Sequence, residues 1–292
     1  PGPAHPGIVL PGPAMDGSPP TASPPLVSVC IPHYQVGDLM RVCLRSLRRA
    51  STGLDLEILV VDNGSRDASL DWLRSLPWIR LIERPEESPA RWPDNVFTAW
   101  DLGARLARGR YFLTMHSDVF VLGEGWLAPF LREFSRAPRV AASGAWKLEL
   151  EHPLYRWQKE TLGAVTGLVK RCLGRQGRSD PHHGQYPRDY CALYRRDVLL
   201  QHNLTFCNHP GEITGGQAIA RQLWAHGYQT AVFPVAEMAR SVAHVTHASA
   251  ALAGGAKLNH ARSQRKAEAR ARTWLSSPWV EELRQAEHLD AA

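Results

Sequence analysis

The stretch YFLTMHSDVFV (Tyr111–Val121) begins as an apolar strand, breaks into His116, Ser117 and Asp118, and turns apolar again. A strand that ends in an imidazole, a hydroxyl and a carboxylate is either a polar turn or the edge of a binding site. The segments upstream decide between these readings. LVSVCIP (26–32), LEILVVD (56–62) and WIRLIE (78–83) are further buried-strand patterns, rich in β-branched residues and closed by polar clusters. Between them, LMRVCLRSLRRA (39–50), ASLDWLRSL (68–76) and NVFTAWDLGARLA (95–107) place apolar residues at helical spacing. Continuous apolar strands that alternate with helices predict an α/β protein with a mostly parallel sheet covered on both faces. Ligands of such sheets bind beyond the carboxyl ends of the strands. Those ends carry Pro32-His33-Tyr34, Asp62-Asn63-Gly64-Ser65 and His116-Ser117-Asp118, so three polar clusters converge on one edge.

Composition narrows the class. The 292 residues are 44% hydrophobic, enough for a substantial core, and a formal charge of +6 is too small a surplus to indicate nucleic acid as a partner. Five cysteines, Cys30, Cys43, Cys172, Cys191 and Cys207, form no C-x-x-C pair, which points away from a disulfide framework or a cysteine zinc site and toward a reducing cytoplasm. No apolar run approaches the ~20 residues of a membrane helix. Residues 1–25 hold nine prolines, four glycines and one charged residue, Asp16, and read as a flexible tail without a secretory signal, with Met15 a candidate native start.

In order and spacing, VSVCIPHYQVGDLMRVCLRSL, EILVVDNGSRDAS and AWDLGARLARGRYFLTMHSDV resemble the nucleotide-binding half of the glycosyltransferase family 2 enzymes, which have the GT-A, Rossmann-like fold. The resemblance is clear from Val27 to Val121 and continues more weakly to His247. It implies one catalytic domain over residues 26–250, with a nucleotide-binding half (26–121) and an acceptor-binding half (122–250), followed by a basic helical extension (251–292). It also implies a glycosyltransferase whose donor is a nucleoside-diphosphate sugar and whose acceptor is a hydroxyl of a glycan, lipid or small molecule.

The residues suit that chemistry. Asp62 at a strand end can accept the imide hydrogen of uracil or a ribose hydroxyl, which favours a UDP-sugar, and Asn63-Gly64 lets backbone approach the ligand. Asp62 otherwise only caps the following helix. Pro32 and Tyr34 match the P-x-Y whose tyrosine flanks the base in the family. Asp94 and Asn95 fall where the family presents polar groups to the donor, and a plain helix cap is the other reading. Ser117 and Asp118 match the end of the family's Asp-x-Asp, whose last carboxylate binds a cation bridging the two phosphates. His116 replaces the first aspartate, and an imidazole there suits Mn²⁺ better than Mg²⁺. Of the late pair His244 and His247, the resemblance favours His247 as a further ligand.

Inverting transfer needs a base for the acceptor hydroxyl, and the family supplies it just before a helix, typically as Glu-Asp. In HPGEITGGQAIARQLWAHGYQTAVFP the segment's end matches through Gly227-Tyr228. The dyad does not: Gly215-Gly216 sits near its register, and Glu212 is the acidic residue left as candidate base. The missing dyad leaves open a nucleotide-sugar-binding protein without activity. A sugar nucleotidyltransferase would carry a glycine-rich, basic loop after the first strand, which IPHYQVGD lacks. Between Lys257 and Arg272 six basic residues face one glutamate, with Trp274 and Trp279 beyond. That extension either lies on an anionic membrane at the inner face or packs on the core.

Overall fold

The seven residues of β1 (Val27–His33) are all buried because the strand lies centrally and is covered from both sides. Val27, Val29 and Ile31 point into one apolar cluster and Cys30 into a second on the opposite face. The neighbouring strand β2 (Leu56–Asp62) divides likewise, Ile58 and Val60 against Leu59 and Val61. In this computed structural model the described residues are 25–88, 91–146, 186–207, 214–246, 248–252 and 261–291.

The first three helices are α1 (Gly37–Ala50), α2 (Ala68–Ser75) and α3 (Asp94–Leu106), each following a strand, β1, β2 and β3 (Ile79–Glu83); α1 and α2 bury their apolar residues on one face of the sheet and α3 on the other. The chain continues through β4 (Tyr111–Met115), β5 (Val119–Val121), α4 (Ala128–Arg136), β6 (Val140–Ala145), β7 (Cys191–Arg195), α5 (Arg196–Gln201), α6 (Gly215–Ala225), β8 (Gln229–Phe233), α7 (Val235–Met238), β9 (Val242–His244), α8 (Ala248–Leu252), α9 (Ala261–Leu275) and α10 (Pro278–Gln285). The main sheet runs β3-β2-β1-β4-β7-β6-β8. Only β7 runs against its neighbours β4 and β6, so the sheet is mostly parallel, as the alternation of strands and helices predicts. A two-stranded sheet pairs β5 with β9 antiparallel. Its register, Val119 opposite His244, carries a late segment of the chain to the end of β4.

The extension packs on the core. Trp274 stacks on Phe120 with ring centroids 5.7 Å apart and Trp279 meets the same ring edge-on at 6.4 Å. These aromatics serve the protein interior, contacts worth ~0.5–1.5 kcal/mol each beyond area burial. Arg45 on α1 is almost fully buried and donates to both carboxylate oxygens of Asp290 (2.8 and 2.6 Å) and to the carbonyls of Leu283 and Arg284. Trp72 Nε1 donates to the same carboxylate at 3.0 Å.

Burial pushes the Asp290 carboxyl up, but the bonds from Arg45 and Trp72 outweigh it and hold the group below its ordinary value. Its contribution to stability is therefore complete above the unfolded value near ~4 and is lost as pH falls through the depressed folded value. Asp290→Ala leaves Arg45 buried without its carboxylate. A loss of about 2–3 kcal/mol is expected, below the ~3–5 kcal/mol of a fully enclosed pair because Asp290 keeps some contact with water. Urea unfolding measures this, and the difference from the parent should shrink in acid.

Candidate active site

The stretch 111–121 forms two strands joined by a tight turn in which Val119 N donates to His116 O at 3.1 Å. Asp118 is completely buried at this turn. Pairing of β5 with β9, extended by Val245 N donating to Asp118 O at 3.0 Å, sets His244 beside it. His244 Nε2 lies 3.4 Å and His116 Nδ1 3.7 Å from Asp118 Oδ1, and one ligand atom from each of the three residues falls within 4.8 Å of the others. Asp118 Oδ2 accepts from both the backbone N and the Oγ of Ser249 (3.1 Å each), which turns Oδ1 toward the histidines. That oxygen and both ring nitrogens of His244 are buried without a hydrogen-bond partner. Burial pushes the Asp118 carboxyl up, yet His244, His116 and the Ser249 amide outweigh it and keep the group well below the usual carboxylate range. Asp118 is therefore an anion.

Both imidazoles are held by aromatic stacking. Tyr190 lies flat on His244 with centroids 4.5 Å apart, and Trp100 of α3 stacks on His116 at 5.4 Å. Tyr190 also accepts His116 N through its carbonyl at 2.9 Å. Of the three side chains His116 is the most open to solvent, at 32% exposure, so the cluster opens on its side. Two imidazoles and a carboxylate fit a divalent cation of the Mn²⁺ class.

The second cluster lies at the ends of β1 and β2. Asp62 Oδ2 accepts from the backbone N–H groups of Gly64 and Ser65 (3.1 and 2.9 Å), while Oδ1 is buried and unpartnered. Gly64 has φ 84°, and a Cβ there would lie 2.8 Å from Glu87 O, so the turn needs glycine for both its backbone angle and its close packing. Asn63 Oδ1 accepts from Arg84 at 2.8 Å, and the same guanidinium donates to Asn95 O at 3.1 Å. Asn95 is buried with its own Oδ1 free of a partner, whereas Asp94 is exposed at the helix start. Pro32 is buried in β1, Tyr34 follows it half-buried, and Ser117 is buried between the two site histidine and aspartate residues.

Of the late histidine pair, His244 is the one the described residues bring to Asp118; His247, which sequence reasoning favoured as a ligand, lies outside the described residues, as does Glu212. Four further residues carry no motif signal. His33 is buried, bonds Ser69 Oγ through Nε2 at 2.8 Å, and has its pKa lowered by burial against the opposing charges of Asp62 and Asp67. Arg84 ties the Asp62 turn to α3, and Ser249 orients Asp118. Asp189 accepts from Gly216 N at 3.0 Å at the start of α6. A Cβ on Gly215 would approach the Phe97 ring to 2.8 Å and Asp189 Oδ2 to 3.3 Å, so this helix start has no room for an acidic side chain. A pairing of 119–121 with 242–244 would have singled out His244, but short strands far apart in sequence leave no periodic signal.

A mostly parallel sheet with polar clusters at the carboxyl ends of its strands, among them Asp62 and the His116, Asp118 and His244 group, is the architecture of the GT-A, Rossmann-like α/β fold. The chain belongs to glycosyltransferase family 2, whose family model (Glycosyl transferase family 2) matches residues 28–202. It is 25% identical over 193 residues to the uncharacterized glycosyltransferase YibD of Escherichia coli K12, covering 62% of this chain and 51% of that protein. It is 31% identical over 98 residues to a PGL/p-HBAD biosynthesis glycosyltransferase of Mycobacterium bovis, 32% of this chain and 36% of that one. The chain thus spans about half the length of YibD or less of the others. Among solved structures, the mannosyltransferase PcManGT of Pyrobaculum calidifontis, in complex with GDP-Man and Mn²⁺, superposes with a TM-score of 0.50 at 19% identity over 91% of this chain and 76% of that chain. S. aureus TarS (residues 1–349) in complex with UDP gives 0.50 at 13% identity over 90% and 73%. Among the described residues no helix is long and apolar enough to cross a membrane.

Proposed function

We propose that this glycosyltransferase moves a sugar from a nucleoside-diphosphate sugar to a hydroxyl of a glycan, lipid or small-molecule acceptor, with inversion and with the help of a divalent cation, Mn²⁺ before Mg²⁺. The observation that carries the reading is the buried, unpartnered Oδ1 of Asp62 on the same sheet edge as the Asp118 cluster. An orphaned buried acceptor costs ~1–3 kcal/mol, which a donor group on a ligand recovers. The imide N–H of uracil or a ribose hydroxyl fits this role, and Pro32, Tyr34, Asn63 and Asn95 line the same corner. A UDP-sugar remains the favoured donor. The GDP-Man held by PcManGT makes guanine the comparison to run.

His116, Asp118 and His244 would hold the cation, and a bound cation stabilises the negative charge that develops on the departing diphosphate. His247 is a further proposed ligand. Asp94 and Ser117 are assigned to the donor site, and Glu212 to proton removal from the acceptor. Cytoplasmic action, at or near the inner membrane face, accords with the free thiols Cys30, Cys43, Cys191 and Cys207.

Thermal shift with UDP and GDP, each with and without Mn²⁺, tests the reading. Stabilisation by one nucleoside diphosphate that grows with Mn²⁺ is expected, and no shift with either would refute it. A second reading, a nucleotide-sugar-binding protein without transfer, draws on Gly215-Gly216, where the close packing leaves no space for an acidic dyad. That protein would show the same shifts and no nucleotide release in a nucleotide-sugar hydrolysis screen.

A further inference from the structure

We infer that Arg188, seated against Trp146 and Tyr186 where β7 begins, binds an anionic group of the acceptor, so that the acceptor carries a carboxylate or a phosphate besides its reacting hydroxyl. The anion subsite follows from the side chains themselves, and its assignment to an acceptor rests on the proposed transfer reaction.

Strand order puts this subsite where an acceptor belongs. β7 runs against β4 and β6, with Cys191 opposite Met115 and Ala192 opposite Gly144, so its first residues share an edge with the carboxyl ends of its neighbours. The order β3-β2-β1-β4-β7-β6-β8 then sets three positions along that edge: Asp62 at β2, Asp118 beyond β4, and Arg188 between β7 and β6. A nucleoside at the first and a diphosphate at the second direct the transferred sugar toward the third. Arg188 N donates to Ala145 O, the last residue of β6, at 3.0 Å. Tyr190, which stacks on His244, donates through its hydroxyl to Trp146 O at 2.9 Å and so ties the two positions together.

The guanidinium is held from several sides. Its Cζ lies 5.5 Å from the Trp146 ring centroid and 5.6 Å from that of Tyr186, and the two rings meet edge-on at 78°. Nη1 donates to the Tyr186 hydroxyl at 2.8 Å, and that oxygen lies 3.2 Å from Oγ1 of Thr214, the N-cap of α6. Aromatic faces steady a guanidinium by cation–π attraction without using its N–H groups. What is left is the edge formed by Nε and Nη2, which has no acceptor among the described residues, on a half-buried side chain that has no carboxylate partner among them. Arg45 shows what that edge does: its Nε and Nη2 take the two oxygens of Asp290 at 2.8 and 2.6 Å. The same planar fork on Arg188 matches two oxygens of a carboxylate or a phosphate.

The test uses the full chain and three probes: glucuronate and glucose 6-phosphate, which are anionic, and glucose, which is neutral. Metal-free binding is read by saturation-transfer NMR, and transfer by nucleotide release from whichever nucleotide sugar the parent turns over. At least one anionic probe should bind more tightly than glucose and accept sugar better, and the carboxylate and phosphate arms tell which oxyanion the subsite takes. Arg188→Gln keeps a donor for Tyr186 but removes the charge and the fork, and should cut the preference for the anionic probe by about 10–100-fold, the worth of a charge-assisted bidentate pair. Arg188→Lys keeps the charge without the fork and should fall between. Glucose binding as well as both anions, anion binding that Arg188→Gln leaves unchanged, or equal losses for charged and neutral sugars would each overturn the inference. A raised KM for the nucleotide sugar in place of the acceptor effect would assign the guanidinium to the donor and overturn it too. If the anions bind through Arg188 and no nucleotide sugar is turned over, the subsite stands and the glycosyltransfer reading fails. If transfer to neutral sugars proceeds and Arg188→Gln changes nothing, that reading stands and the subsite falls.

Discussion

Asp118→Asn is expected to lower sugar transfer by ~10²–10⁴-fold, the several kcal/mol that a cation supplies to developing phosphate charge at about 1.4 kcal/mol per decade. The asparagine keeps the size of the side chain, and its carbonyl oxygen still accepts from Ser249, so the link to α8 survives. What disappears is the only carboxylate in the three-residue cluster. His116 and His244 remain, but without the anion between them they lose the attraction that gathers a dication. The measurement is nucleotide release from whichever nucleotide sugar the parent turns over, across a Mn²⁺ series, with thermal denaturation as the control for folding. A variant with parental turnover and parental Mn²⁺ response would remove Asp118 from the mechanism. Loss of turnover together with a collapsed melting temperature would point to the buried ion cluster as structural.

The sequence shows Asp118 more readily than it shows His244, for a physical reason. β1, β2 and β4 are central, buried on both faces, and thus written as continuous apolar runs whose ends are marked by polar residues. Their order and the clusters at their ends are legible from local pattern alone. The β5 and β9 strands have three residues each and are joined across more than a hundred positions, so nothing local in Val242-Ala243-His244 indicates its partner. The same limit applies to the extension. Six basic residues before two tryptophans suit either a membrane surface or packing on the core in one dimension, while in three dimensions Phe120 takes both rings and Arg45 binds Asp290. Arg45 looks in sequence like one of several solvent-facing arginines of α1. Only the arrival of a carboxylate 245 positions away makes it a buried ion.

The proton acceptor is where pattern and packing meet least well, and Glu212→Gln is the substitution that decides it. Glutamine keeps the size and hydrogen bonding of the side chain but cannot take a proton, so turnover should fall by ~10² or more, the usual worth of a positioned base. Affinity for the nucleoside diphosphate should stay at the parental value, because the base faces the acceptor. Packing at the start of α6 supplies the comparison. Gly215 and Gly216 are pressed against Phe97, Pro187 and Asp189, so a carboxylate there must come from outside the helix, either from the preceding segment through Glu212 or from the strand side through Asp189. Asp189→Asn preserves the acceptor for Gly216 N and so should leave turnover within a few-fold if Glu212 is the base. The opposite outcome, Glu212→Gln near parental turnover and Asp189→Asn reduced ~10²-fold at unchanged nucleotide affinity, would move the base to Asp189. A loss of nucleotide affinity in parallel with turnover for Glu212→Gln would instead make that side chain part of the donor site. Running both variants with saturating Mn²⁺ holds the contribution of the cation constant in the comparison.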